Sequence, residues 1–237
     1  MGSFSYAYRE IVADKPIEYV RIMLSYLVVS LLSLLAPLGA VGIISIIASY
    51  AGVQATIVSL VSFSLYILIA HVLLSGAYGA LIKALDVQNL YRKGTGIPVM
   101  INYMMKNALP LTIIKTVEYL AIAIFAGAIL GVSYYLNLLS STFYLGIVSI
   151  LVLFFVFSVK YLFSTAVISY IKTGKVFGSI SKSFKIALFK IIYYFPGYLI
   201  FCLVAVSFLI PILNIISVLV LYPMAMLALV KEYEKLM

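Results

Sequence analysis

Long apolar runs alternate along this chain with short basic segments, and the apolar runs have the length of helices that cross a bilayer. The first sixteen residues (MGSFSYAYREIVADKP) mix charged, aromatic and small side chains and predict a short amphipathic helix at a membrane surface. From Arg21 an apolar stretch continues to about Tyr50. That is far longer than the apolar core of a signal peptide, about 7–15 residues, and no clean small-x-small cleavage site follows it. A span needs about 20 apolar residues, so the stretch reads as one long helix, kinked at Pro37 and loosened by Gly39 and Gly42.

A polar nick at Gly52–Gln54 precedes a second span, Thr56 to Leu81. The largest polar insert follows, Lys83 to Asn107, with the turn Gly94-Thr95-Gly96. A third span runs from Leu111 to Leu136 and a fourth from Phe143 to Ile171. A fifth covers Ala187 to Ile210, and Pro211 and Asn214 turn it into a sixth ending at Lys231. Several spans exceed the thickness of the hydrocarbon layer and must tilt, kink or project from it.

The cations set the orientation. All 16 Lys and Arg lie in or beside four segments: Arg9, Lys15 and Arg21; Lys83, Arg92, Lys93, Lys106 and Lys115; Lys160, Lys172, Lys175, Lys182, Lys185 and Lys190; Lys231 and Lys235. The three short turns between paired spans carry none. Short cytoplasmic loops accumulate Lys and Arg, so this distribution predicts six spans in the cell membrane with both termini cytoplasmic. The expected fold is an all-α polytopic membrane bundle, one transmembrane domain over residues 1–237, built as three helix hairpins led by amphipathic cytoplasmic helices.

Composition agrees. Charged residues are 10% and hydrophobic residues 65%, against about 25% charged in a soluble domain. The net charge of +9 is accounted for by the positive-inside bias, and a basic face also suits anionic lipid headgroups. Sequence-specific binding of nucleic acid is not expected, because no soluble basic domain built to read it is present. The lone Cys202 lies in an apolar run and forms no internal disulfide.

The hairpins resemble one another. HVLLSGAYGALIK from His71, KYLFSTAVISYIK from Lys160 and LVLYPMAMLALVK from Leu219 align without gaps, matching Ala77, Ala166 and Ala225 and the closing Lys83, Lys172 and Lys231. INYMMKNAL from Ile101 matches ISKSFKIAL from Ile180. The repeats fall at about 1–92, 93–175 and 176–237. Internal repeats of this kind recur in transport proteins, with sites at repeat interfaces, although they build inert bundles as readily.

The stretch GKVFGSISKSFKIALFKIIYYFPGYLIF, Gly174 to Phe201, resembles the corresponding part of the bacterial YciC-type membrane proteins and related archaeal six-helix domains of unknown function. The resemblance implies a hairpin layout with a Ser/Lys-bearing amphipathic helix leading into a span. It implies no activity and no functional residues.

Charged groups at membrane depth are costly and are functional candidates by default. His71, Glu118 and Lys160 are three such groups, and His71 and Lys160 share a column of the repeat. They define a candidate intramembrane polar site, a proton relay or anion site. The plainer reading has Lys160 snorkelling to the headgroups, Glu118 paired with Lys115 three residues away, and His71 bonded to a neighbouring helix. The second candidate is the cytoplasmic basic face: Lys83, Arg92, Lys93, Lys172, Lys175, Lys182, Lys185 and Lys231.

Small residues predict close helix packing: Gly127 and Gly131 as GxxxG, Ser75 with Gly79, and Gly39 with Gly42. The packing is expected within the bundle first and between copies of a homo-oligomer second. The surface segments read as interfacial helices: Ser179–Leu188 sets Ile180, Phe184 and Ala187 against Ser181, Lys182 and Lys185, and Ile97–Asn107 offers Met100, Met104 and Met105.

One His and one Cys exclude a zinc cluster, and no Walker A, dinucleotide fingerprint or Ser-His-Asp arrangement occurs. No metal, cofactor or catalytic residue is expected, and the protein reads as no enzyme. The leading expectation is a transporter, channel or translocation-pore subunit working with a separate ATPase, since the chain has no nucleotide site. The alternative is a scaffolding protein that binds anionic lipid or a partner protein through its basic face.

Overall fold

A computed structural model describes residues 3–86, 96–137, 140–189 and 216–236. Among the described residues the chain is all-helical, with no strand. The helices are α1 (Ser3–Tyr8), which continues as a widened π-type turn over Arg9–Asp14, α2 (Pro16–Tyr50), α3 (Ala55–Leu85), α4 (Ile97–Tyr135), α5 (Thr142–Thr173), α6 (Val176–Phe189) and α7 (Tyr222–Leu236). A second π-type turn, Ser217–Leu221, leads into α7.

Four of these, α2 to α5, are long and apolar enough to cross a membrane. The expected fifth span and the start of the sixth fall mostly at residues 190–215, outside the described residues, as does the Gly94-Thr95-Gly96 turn apart from Gly96.

The helix ends explain the short turns. After α2, Gly52 adopts φ +76°, donating its N–H to the Ser49 carbonyl at 3.1 Å, while the Val53 N–H reaches the Ala48 carbonyl at 3.1 Å. This Schellman arrangement satisfies the last carbonyls and reverses the chain. Asn137, at φ 56°, ends α4 with a left-handed backbone and donates its N–H to the Tyr134 carbonyl at 2.9 Å. Gly174, at φ 70°, closes α5. At the start of α2, Pro16 sits where a missing N–H costs nothing.

The chain divides into two compact units, Lys15–Thr112 and Met1–Asp14 with Ile113–Met237. In the first, α2 and α3 pack as an antiparallel hairpin. The face of α2 turned inward recurs every fourth residue, at Ser25, Val29, Ser33, Pro37 and Val41, as a helical period requires. The helix runs on through Pro37. Ser45 and Ser62 join α2 to α3 through hydroxyls 2.5 Å apart.

Glycines on α3 admit α4 closely. A Cβ at Gly76 would stand 2.8 Å from both Cγ and the carbonyl O of Met104, and one at Gly79 would overlap the Leu111 side chain. The small-residue reading of Ser75 and Gly79 therefore finds its partner inside the unit. Gly39, Gly42, Gly127 and Gly131 differ: a Cβ at any of them would meet nothing within 4 Å, so these small residues do not serve close packing among the described residues.

In the second unit, α6 folds back along α5 after Gly174, with Phe163 and Phe184 edge to face at 6.0 Å. Helix α1 packs on α7, where Ala7 and Ile11 are buried.

One amphipathic segment departs from the sequence reading. The segment Ile97–Asn107 is no separate surface helix; it is the first part of the 39-residue α4, with Met100 and Met104 buried. Helix α6 turns Ser179, Ser183 and Ile186 inward and leaves Phe177 and Phe184 exposed. A serine stripe permits closer approach to α5 than Ile and Phe would. Ser179 also meets the Thr173 hydroxyl at 3.2 Å.

Burial follows one pattern in the spans. In α5 only Val148 is buried before Val159, whereas Phe163 to Tyr170 are buried without a break. In α3 only Val58 is buried before Ala70. The most apolar stretches are 22% buried in α2 and 11% in α3, α4 and α5, as expected of surfaces that face lipid. With 35, 31, 39 and 32 residues, helices α2 to α5 are about 46–58 Å long at ~1.5 Å per residue. The hydrocarbon layer is about 30 Å thick. The excess length is the packed half, away from the short turns.

Candidate functional site

Two polar clusters stand out in the second unit. The first is at the ends of α5, α6 and α7. In the C-terminal half of α7 Lys231 and Glu234 stand one helical turn apart, and their side chains pair at 2.7 Å. Lys172, in the last turn of α5, donates to the other Glu234 oxygen at 2.7 Å. Tyr233 is fully buried. The ammonium groups of Lys172 and Lys182 stand 5.9 and 5.7 Å from its ring centroid, and Lys231 stands 5.4 Å from that of Tyr6, distances at which a cation is drawn to a ring face.

Two cations thus hold one carboxylate, and a third stands over the neighbouring Tyr233 ring. Burial alone would raise the Glu234 carboxyl, but the hydrogen bonds and charges of Lys172 and Lys231 outweigh it and hold it below the usual carboxylate range. Glu232 moves the other way: burial raises it, opposed by Lys235.

The second cluster is the buried pair of α4. Lys115 Nζ and Glu118 Oε2 are 2.6 Å apart, with 12% and 2% of their side chains exposed. Lys160 of α5 is exposed and its charge bears on Lys115. The sequence has no acidic residue between Glu118 and Glu232. Among the described residues Lys160 makes no ion pair.

Of the residues proposed as an intramembrane site, Glu118 and Lys160 lie in this unit. His71 belongs to the other unit, half-buried on α3, its carbonyl accepting from Ser75 at 2.7 Å. The plainer reading of Glu118, paired with Lys115, is the one observed.

Along their own helices Glu118 is about 26 Å from Tyr135, Lys160 about 27 Å from Thr142 and His71 about 24 Å from Ala55. Tyr50, Tyr134, Tyr135 and Phe143 are strongly exposed at the short-turn ends of their own helices, and tyrosine is a residue enriched at membrane interfaces. Each of the three therefore lies about 24–27 Å along its own helix from the short-turn end, against a hydrocarbon layer about 30 Å thick.

Of the basic face, Lys172, Lys182 and Lys231 gather in the first cluster. Lys175 and Lys185 are exposed on and beside α6, and Lys83 is half-buried in the last turn of α3. Arg92 and Lys93 lie outside the described residues. Tyr6, Tyr233 and Glu234 went unnoticed in the sequence. The Lys231–Glu234 spacing was the available signal, but only the fold adds Lys172 and Lys182 to it.

Several hydroxyls on the spans bond within their own helices. Ser45, Ser75, Ser133, Ser149 and Ser164 each donate to the carbonyl four residues before. Among the described residues no group of His, Cys, Asp and Glu could hold a metal ion.

The long apolar helices are those of a membrane protein. Comparison with protein families, curated proteins and solved structures returns no match for this chain.

Proposed function

We propose that this protein is a non-enzymatic scaffold of the cell membrane, with cytoplasmic termini, that presents its basic end to an acidic segment of a partner protein. The cluster of Lys172, Lys182 and Lys231 around Glu234 and Tyr233 carries this reading. Lys172 is about 45 Å along α5 from Thr142. Headgroups bring the bilayer to only about 40–45 Å in total, so even a helix tilted by about 20° sets the cluster at or beyond the headgroups, within reach of a soluble acidic segment. Lys172 and Lys231 share one carboxylate, which leaves positive charge for it. The six-span, three-hairpin layout and the YciC-type resemblance belong to the same proposal.

The test is binding of a fluorescent oligoglutamate peptide to the protein in zwitterionic nanodiscs. Binding that weakens with salt, and by several-fold in Lys172→Gln/Lys182→Gln, is expected. Absence of binding at low salt would overturn the reading.

A second reading, a transporter or pore subunit driven by a separate ATPase, is favoured by the buried Lys115–Glu118 pair at the membrane edge. Against it, Ser45, Ser75, Ser133, Ser149 and Ser164 donate within their own helices, whereas a solute path needs polar groups that face it.

A further inference from the structure

We infer that Lys160, with the Lys115–Glu118 pair, forms a binding site for the phosphate of one anionic phospholipid. The charge count comes first. Glu118 is already bonded to Lys115 at 2.6 Å, so the pair carries no net charge. Phe125 of α4 stacks on Phe155 of α5 at 5.9 Å, which brings Lys160 to within about one helical turn of the level of Glu118, and its ammonium is uncompensated. No carboxylate among the described residues pairs with Lys160. One phosphodiester, carrying one negative charge, would balance the cluster.

Position selects the source of that phosphate. Lys160 lies about 27 Å along α5 from Thr142, close to where a hydrocarbon layer of about 30 Å gives way to headgroups. Its flexible stem lets the ammonium reach that boundary. Before Lys160 the surface of α5 is apolar and exposed, with Ile150, Leu151, Leu153 and Phe154 outward, a surface for acyl chains. From Tyr161 the helix turns almost wholly buried. A charged side chain exposed at the junction of a lipid-facing and a packed segment meets a headgroup. A basic site at this level is of the kind that holds anionic lipid. Tyr119, half exposed beside Glu118, supplies an amphipathic ring at the same level.

The site is independent of the Lys172 cluster, which stands about 18 Å further along α5. Native mass spectrometry of the purified, delipidated protein with added phosphatidylglycerol or phosphatidylcholine tests it. Wild type should hold one phosphatidylglycerol more tightly than phosphatidylcholine. Lys160→Met should weaken that binding by roughly fivefold, the factor expected for one basic residue at an anionic surface, while Lys160→Arg and Lys172→Met leave it within twofold.

Equal retention of the two lipids by wild type would overturn the inference without any variant. So would unchanged phosphatidylglycerol binding in Lys160→Met, or release of the lipid by millimolar inorganic phosphate, which would mark a free-anion site. Should Lys160→Met fail to fold, Lys160→Gln is read against the same thresholds.

Discussion

The buried pair of α4 yields the sharpest energetic prediction. Lys115→Met removes the ammonium and leaves Glu118, with 2% of its side chain exposed, as a buried carboxylate. Breaking a buried pair from one side costs about 3–5 kcal/mol, because the remaining charge loses its compensation, whereas replacing both partners by apolar side chains of similar size is close to neutral. Lys160 bears on the same cluster and offsets part of the loss, so the lower end of that range is expected. For a chain of this size 3–5 kcal/mol corresponds to a fall in Tm of roughly 6–20 °C. Lys115→Met/Glu118→Leu should return to within about 1 kcal/mol of wild type. Thermal unfolding in detergent, followed by circular dichroism, supplies the four corners of the double-mutant cycle. A double variant as unstable as Lys115→Met, or a single variant as stable as wild type, would refute a coupled buried pair.

Gly76→Val should destabilise the unit Lys15–Thr112 by about 1–3 kcal/mol, since the Met104 carbonyl 2.8 Å from the new Cβ cannot move aside. Gly127→Ala, facing open space, should stay within about 0.5 kcal/mol, both read by the same unfolding assay. Glu234 holds a lowered carboxyl, so its contribution is fully present above about pH 4.5, the unfolded value, and is lost as pH falls below it. Glu234→Gln should flatten the acid limb of the stability profile, whereas an unaltered limb would assign it elsewhere. In a Cys202→Ala background, an impermeant maleimide should label cysteine at Ser140 but not at Lys175 in intact cells; labelling at Lys175 would reverse the proposed orientation.

Much of the fold was legible because a span advertises itself. Apolar runs longer than about 20 residues admit few structures, and Gly52 and Asn137 lie where chain reversals need a left-handed backbone. The extent of the helices was harder to read. Lys106 and Asn107 looked like the edge of a surface segment, yet α4 begins at Ile97, because Met100, Met104 and Ala108 face inward and stabilise the helix through packing. Polar residues on one face do not end a helix whose other face is buried. The inward face of α6 was hidden for a related reason. Its Ile and Phe positions follow a helical period, but so do Ser179 and Ser183, and the α5 surface accepts the smaller set.

The candidate sites divide in the same way. Lys115 and Glu118 are one turn apart on one helix, so their pairing follows from spacing. The Lys172–Glu234 contact joins residues far apart in the chain, and no local pattern carries it.

By itself, then, the sequence determined that these helices are built for a bilayer and where they reverse, since hydropathy and left-handed backbone positions are local properties. Tertiary structure alone decided that α2 to α5 continue into a packed half, which serine and glycine faces admit close neighbours, and which lysines share a carboxylate. Those outcomes depend on shape and charge brought together across the chain, and a linear pattern does not contain them.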